Sequence, residues 1–203
     1  MGTLTIWQFE LIPWYVFGIY WAITWLRVKP TKAREKSADR LLTVAIVALG
    51  FCLLFKQWTA IGPLGARFVP EKAGIMWLGV AITWVGVMVA IWARYSLGAY
   101  WSARVTLKEG HQLIRSGPYA LVRHPIYTGM FLAALGTALV GGEWRGILAL
   151  LLLITAHARK AFREESLLSR EFGEEYANYR RSTGFLFPRL WPKSRMDTRA
   201  PDS

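Results

Sequence analysis

Long apolar runs separated by clusters of positive charge constrain this chain more than any motif does. Residues 11–28, 41–55 and 74–93 each approach the roughly 20 residues that a helix needs to cross a bilayer. A further run, residues 126–158, would be about 50 Å long as a single helix, well beyond the hydrocarbon thickness. It is interrupted by Gly141, Gly142, Glu143, Trp144 and Arg145, so a tight hairpin of two helices, 126–140 and 146–158, fits better. The expected fold is all-α: a polytopic membrane protein with about five transmembrane helices, the last two forming a C-terminal helical hairpin. With 54% hydrophobic residues and eleven tryptophans in 203 residues, the chain is too apolar for an ordinary soluble fold of its size. Residues 1–10 carry no basic stretch and no small-residue cleavage site follows the first run, so no cleavable signal is expected.

The net charge of +12 argues for lipid rather than nucleic acid, because the basic residues sit between the apolar runs. Arg27, Lys29, Lys32, Arg34, Lys36 and Arg40 lie between the first two runs, against only Lys56, Arg67 and Lys72 in the next loop. The positive-inside rule then puts the first loop, residues 94–123 and the chain after residue 158 on the cytoplasmic face. The aromatic excess reads as interfacial anchoring belts. Cys52 stands alone in an apolar run, which rules out an intrachain disulfide and a thiolate metal cluster, and no metal is expected.

Two polar clusters share that face. In Arg123-His124-Pro125-Ile126-Tyr127, Pro125 suits the first turn of a helix, which puts Arg123 and His124 at a helix N-terminus able to hold a carboxylate or other anion. The turn Ser116-Gly117-Pro118-Tyr119 delivers Tyr119 to the same place. Gly129 would let a helix or a ligand approach the backbone. After the hairpin come Glu164 and Glu165, then Leu167, Leu168, Phe172, Tyr176 and Tyr179, whose spacing makes an apolar and aromatic stripe on an amphipathic interfacial helix. A glutamate there complements the anion-binding helix start, and a ligand with an amino acid moiety needs both signs.

These residues resemble the isoprenylcysteine carboxyl methyltransferase family of integral membrane methyltransferases. Its pattern H-x-L, G-x-Y, R-H-P-x-Y-x-G, hairpin, E-E, F-G-x-x-Y is matched by His111-Gln112-Leu113, Gly117-Pro118-Tyr119, Arg123 to Gly129, Glu164-Glu165 and Phe172-Gly173-Glu174-Glu175-Tyr176, with Tyr179 beyond. The match runs over residues 111–187. The resemblance implies an N-terminal membrane region of two spans (1–73), a catalytic membrane region (74–192) and a polar tail (193–203). It implies S-adenosylmethionine as methyl donor, contacted by His111, Gln112, Leu113, Ile114, Tyr119, His124, Pro125, Ile126, Tyr127 and Glu164. No glycine-rich strand-to-helix turn of the soluble dinucleotide-binding kind is present.

The implied reaction is in-line displacement at the donor methyl by a lipophilic small-molecule or lipid-linked acceptor, with membrane lipids as surroundings. A carboxylate acceptor is already ionised at neutral pH, so positioning suffices, whereas an amine or thiol must lose a proton and would make Glu165 or a tyrosine necessary. The family's eukaryotic members place an arginine one turn before the cofactor glutamate to orient a substrate carboxylate. This chain has Lys160 there, beside Arg159 and Arg163, and lysine lacks the bidentate fork. An isoprenylcysteine-type carboxylate, a phospholipid amine and a small thiol all remain open as acceptors, with Lys160, Arg163 and Glu165 as the expected catalytic-side residues. A non-enzymatic membrane scaffold or transporter is the alternative of another class. Transport calls for ionisable residues deep in several spans, and the apolar runs hold almost none.

Overall fold

A glycine seam sets the architecture. In the computed structural model, which describes residues 3–25, 37–101 and 113–189, helix α3 (Ala73–Leu97) and helix α4 (Pro125–Gly141) lie backbone against backbone. A Cβ on Gly79 would come within 2.7 Å of the Gly136 carbonyl oxygen, and one on Gly129 within 2.6 Å of the Ala90 nitrogen. Small residues at such a seam bring helices close enough for dispersion to hold them without a hydrophobic driving force. Gly129 therefore admits a helix. Helix α1 (Thr3–Trp25) lies mainly on α3, and α2 (Ser37–Phe55) packs on α5 (Trp144–Ser182), where Leu53, Leu54, Ala138, Ala149 and Leu153 form a buried cluster.

The hairpin turns where the glycines lie. Gly142 takes the left-handed conformation (φ 66°, ψ 13°) and its amide donates to the Ala138 carbonyl, ending α4 as a C-terminal cap. Arg145 then closes this end. Its guanidinium is buried and donates to the Leu53 carbonyl (2.8 Å) and Lys56 carbonyl (3.1 Å) at the end of α2, and it pairs with Glu143.

Two boundaries differ from expectation. Helix α1 starts at Thr3 and includes Glu10, whose carboxyl is buried against hydroxyls of α3 and α4 rather than lying outside a span. Buried ionisable groups nonetheless occur in the helices: Glu10 and Arg94 lie just outside the apolar runs 11–28 and 74–93, and His157 lies near the end of the run 126–158. The amphipathic helix is not a separate element. It continues from the second hairpin arm, and the straight part of α5 from Trp144 to Phe172 is about 43 Å long. The break comes at Gly173 (φ 48°, ψ −121°), a conformation open to glycine and strained for other residues. By length and composition, Ala73–Leu97 is the described helix able to cross a membrane, and Pro125–Gly141 is apolar but shorter. The polar tail 193–203 and residues 26–36 of the first basic loop fall outside the described residues.

Candidate active site

At the end of the bundle opposite Arg145, a cavity of about 380 Å³ opens among α1, α3, α4 and α5. Its two walls differ in chemistry. The entrance to α4, α4 itself and α5 supply Arg123, His124, Tyr127, His157, Lys160 and Glu164, while α1 and the segment after α3 supply Phe17, Trp21, Trp25 and Trp101. Tyr119, Ile126 and Met130 lie between, and Leu167 and Leu168 form part of the rim on α5.

Pro125 occupies the first turn of α4 and His124 the cap position before it, as the sequence predicts. The amides of Arg123 and His124 are taken by the carbonyls of Gly184 (2.9 Å) and Phe185 (3.2 Å). The chain after the Gly173 break folds back to provide them, and the Thr128 hydroxyl fixes the same strap by donating to the Leu186 carbonyl at 2.7 Å. The Tyr179 hydroxyl donates to the Tyr119 carbonyl at 2.8 Å, which ties this strap to the turn Gly117–Ala120. Burial raises the phenols of Tyr119 and Tyr176 above the ordinary range and pushes Tyr179 up to about 12, so all three are neutral at physiological pH.

The paired glutamates have different partners. Glu164 faces the cavity, accepts from the Tyr127 hydroxyl at 2.9 and 3.0 Å, and has Lys160 Nζ at 3.8 Å and His124 Nδ1 at 3.7 Å. Glu165 points to the start of α4, where Arg123 Nε donates at 2.6 Å, His124 Nε2 lies at 3.3 Å and Arg180 Nε at 3.6 Å. Burial would raise the Glu165 carboxyl, but hydrogen bonds from His124 and Arg123 outweigh it and hold it below the ordinary carboxylate range. The anion at this helix start is thus the chain's own. Arg123 also donates to the Thr183 carbonyl at 2.7 Å, so its fork is engaged within the protein.

Of the residues singled out in the sequence, Tyr119, His124, Ile126, Tyr127, Lys160 and Glu164 line the cavity together. Pro125 is buried behind them, and Leu113 and Ile114 are partly buried nearby, Ile114 against the cluster that includes Tyr119 and Tyr127. Arg163 lies on another face of α5, 2.9 Å from Asp39 of α2, and Arg159 is exposed, so Lys160 is the cation of the three that reaches the cavity. His111 and Gln112 lie outside the described residues. Sequence reasoning missed the aromatic wall. Phe17, Trp21 and Trp25 recur every four residues, a helical stripe that looks the same whether it anchors in headgroups or faces a cavity. His157 was missed as well: it bonds its own Leu153 carbonyl at 2.8 Å and stands beside Tyr127 with ring centroids 5.0 Å apart.

Residues 75–175 match the phospholipid methyltransferase family model. That match takes in just under half of the chain. It is 31% identical over 175 residues to methanethiol S-methyltransferase 2 of Bradyrhizobium diazoefficiens, covering 80% of this chain and 64% of that protein. To the protein-S-isoprenylcysteine O-methyltransferase of Schizosaccharomyces pombe it is 39% identical over 74 residues, 36% of this chain and 31% of that protein. The solved eukaryotic intramembrane Ras methyltransferase, an isoprenylcysteine carboxyl methyltransferase, shares the fold with a TM-score of 0.54 at 20% identity, over 76% of this chain and 53% of that one. The resemblance read from the motifs is borne out. The chain spans less than two thirds of the length of each of these relatives.

Proposed function

We propose that this protein is a multi-pass membrane methyltransferase that binds S-adenosylmethionine at the cytoplasmic end of its helices and methylates a lipophilic acceptor. The observation that carries this reading is the two-walled cavity, in which Glu164, Tyr127, His124 and Lys160 face an aromatic wall. The donor carries an ammonium, a carboxylate, a cationic sulfur and a flat purine. Glu164 offers a carboxylate for positive charge, Lys160 an ammonium for the donor carboxylate or for the acceptor, and Tyr119, Ile126, Leu167 and Leu168 offer apolar surface, so the residues present fit the group. The volume of about 380 Å³ is within the range of small-molecule sites. His111, Gln112, Leu113, Ile114 and Pro125 belong to the proposed donor side through the family motif. Glu165 and Arg163 act at one remove, Glu165 by holding Arg123 and His124, Arg163 by tying α5 to α2.

When bound, S-adenosylmethionine supplies an electrophilic methyl: the acceptor's lone pair forms the new bond as the carbon–sulfur pair returns to sulfur. The cavity's own residues orient the acceptor and exclude water. Lys160 favours an anionic nucleophile, a carboxylate or a thiolate whose proton has passed to solvent, and opposes an ammonium. The thiol reading gains from the methanethiol S-methyltransferase relative, whose alignment takes in 80% of this chain. Calorimetry with the purified protein in nanodiscs should show saturable donor binding that weakens on His124→Ala and Glu164→Ala. Product mass spectrometry with a thiol, an isoprenylcysteine and a phospholipid amine then names the acceptor. Absence of donor binding by folded wild type overturns the proposal.

A further inference from the structure

Helix α1 is joined to the rest of the site by a buried polar staple. The Glu10 carboxyl is fully buried; its Oε1 accepts from the Thr83 hydroxyl of α3 at 2.9 Å and from the Thr137 hydroxyl of α4 at 2.5 Å. One turn on, the Trp14 indole N–H donates to the same Thr137 hydroxyl at 3.0 Å. Pro13 lies between these two contacts and has no amide to offer the Phe9 carbonyl, so the helix lacks a hydrogen bond across this turn. Glu10 and Trp14 thus fasten both sides of the weakened turn to one hydroxyl of α4.

Residues 10, 14, 17 and 21 follow one another at helical spacing on one face of α1, and the last two, Phe17 and Trp21, stack on each other (centroids 4.0 Å apart) as part of the aromatic wall. Trp21 and Trp25 both meet Trp101 edge-on, at 6.2 and 5.7 Å. The hydroxyl that sets this register belongs to α4, the helix that carries His124, Tyr127 and Met130 into the cavity. We infer that Glu10 is a positioning residue that sets the register of the α1 aromatic wall against α4, and so the fit of the acceptor's apolar body. The inference rests on the proposed methyltransferase reading for its kinetic consequence, but its geometric content stands apart from it.

Glu10→Leu is a tolerable probe, because Thr83 and Thr137 keep the Gly79 and Ala133 carbonyls of their own helices as acceptors, each at 3.1 Å. Thr137→Val removes the α4 side of the staple with almost no change of shape. Both variants should raise the acceptor KM about tenfold while the donor Kd stays within about twofold, and Glu10→Gln, which keeps an acceptor oxygen, should behave as wild type. A second readout needs no methyl transfer. In a Cys52→Ser background, cysteines at positions 21 and 101 (Trp21→Cys, Trp101→Cys) should be bridged by a bifunctional thiol reagent long enough to span the two indoles removed, and the yield should fall several-fold on Glu10→Leu and stay unchanged on Glu10→Gln. Undiminished cross-linking with Glu10→Leu, or a donor Kd that rises in step with the acceptor KM, overturns the inference. If wild type transfers no methyl group to any acceptor, the functional reading fails, and cross-linking alone decides the role of Glu10.

Discussion

The two ends of the α4–α5 hairpin use the same parts to opposite ends. At one, Arg145 pairs with Glu143 and caps the carbonyls of Leu53 and Lys56, and the space left beside it is about 10 Å³. At the other, Arg123 pairs with Glu165 and holds the Thr183 carbonyl, yet a cavity of about 380 Å³ opens alongside. A buried guanidinium and carboxylate therefore do not by themselves mark a site. What distinguishes the open end is a second carboxylate, Glu164, which lines the cavity with Tyr127 and Lys160 while Glu165 neutralises the arginine, and an aromatic wall brought in by a helix that the hairpin does not contain.

The largest effects should separate the ends by what is lost. Arg145→Met removes a buried guanidinium from the half-buried Glu143 and from the carbonyls of Leu53 and Lys56, and Arg123→Met strips the buried Glu165 of its main partner, each a loss of about 3–5 kcal/mol in stability. Thermal unfolding in detergent should report both, but calorimetric donor affinity of the folded protein should survive in Arg145→Met and collapse in Arg123→Met. Equal loss of donor affinity in the two would mean that the closed end controls the open one. Next in size, Glu164→Gln should weaken donor binding about 100-fold, near 2.7 kcal/mol, whereas Glu143→Gln should leave it unchanged.

Acid should also tell the ends apart. Because the folded Glu165 carboxyl is held below its unfolded value of 4.5, the stability it contributes is complete above that pH and is lost as pH falls through the depressed folded value. The melting temperature should be level from pH 8 to about 5.5 and decline below about 4.5, and Glu165→Gln should flatten that decline. A slope that persists in Glu165→Gln would assign the acid response elsewhere. The smallest effect expected is on hydroxyls. Tyr127→Phe should weaken donor binding about tenfold with no change in melting temperature, and Tyr179→Phe, whose hydroxyl serves the Tyr119 carbonyl, should cost about 1 kcal/mol of stability with donor affinity intact. Reversed phenotypes would place the donor against the strap rather than against α4.

Much of this was legible in the residues, where local rules apply. Gly141 and Gly142 mark the hairpin turn and Pro125 the helix start because backbone conformation decides both. The meeting of Glu164 with Tyr127 was legible through the family motif, since the two are separated by a whole hairpin. Features set by distant partners escaped. Arg163 pairs with Asp39 across helices, and no spacing rule reaches that far. Glu10 falls just before the apolar run 11–28, and its partners, Thr83 and Thr137, are too distant in sequence for any local pattern to reveal them. Trp21 carries the same periodic signal in a lipid belt as in a cavity wall, and only the position of Trp101 tells the two apart.

The strap after Gly173 also orders events in time. A ribosome exposes α4 long before it exposes Gly184 and Phe185, so throughout insertion the amides of Arg123 and His124 lack the carbonyls that finally take them. Glu165 likewise emerges some forty residues after the arginine it neutralises. The helices can be inserted before their polar end is assembled, and that end locks only after residues 184 and 185 have left the ribosome. A nascent chain stalled before residue 183 would carry every helix of the hairpin and still leave that end unlatched.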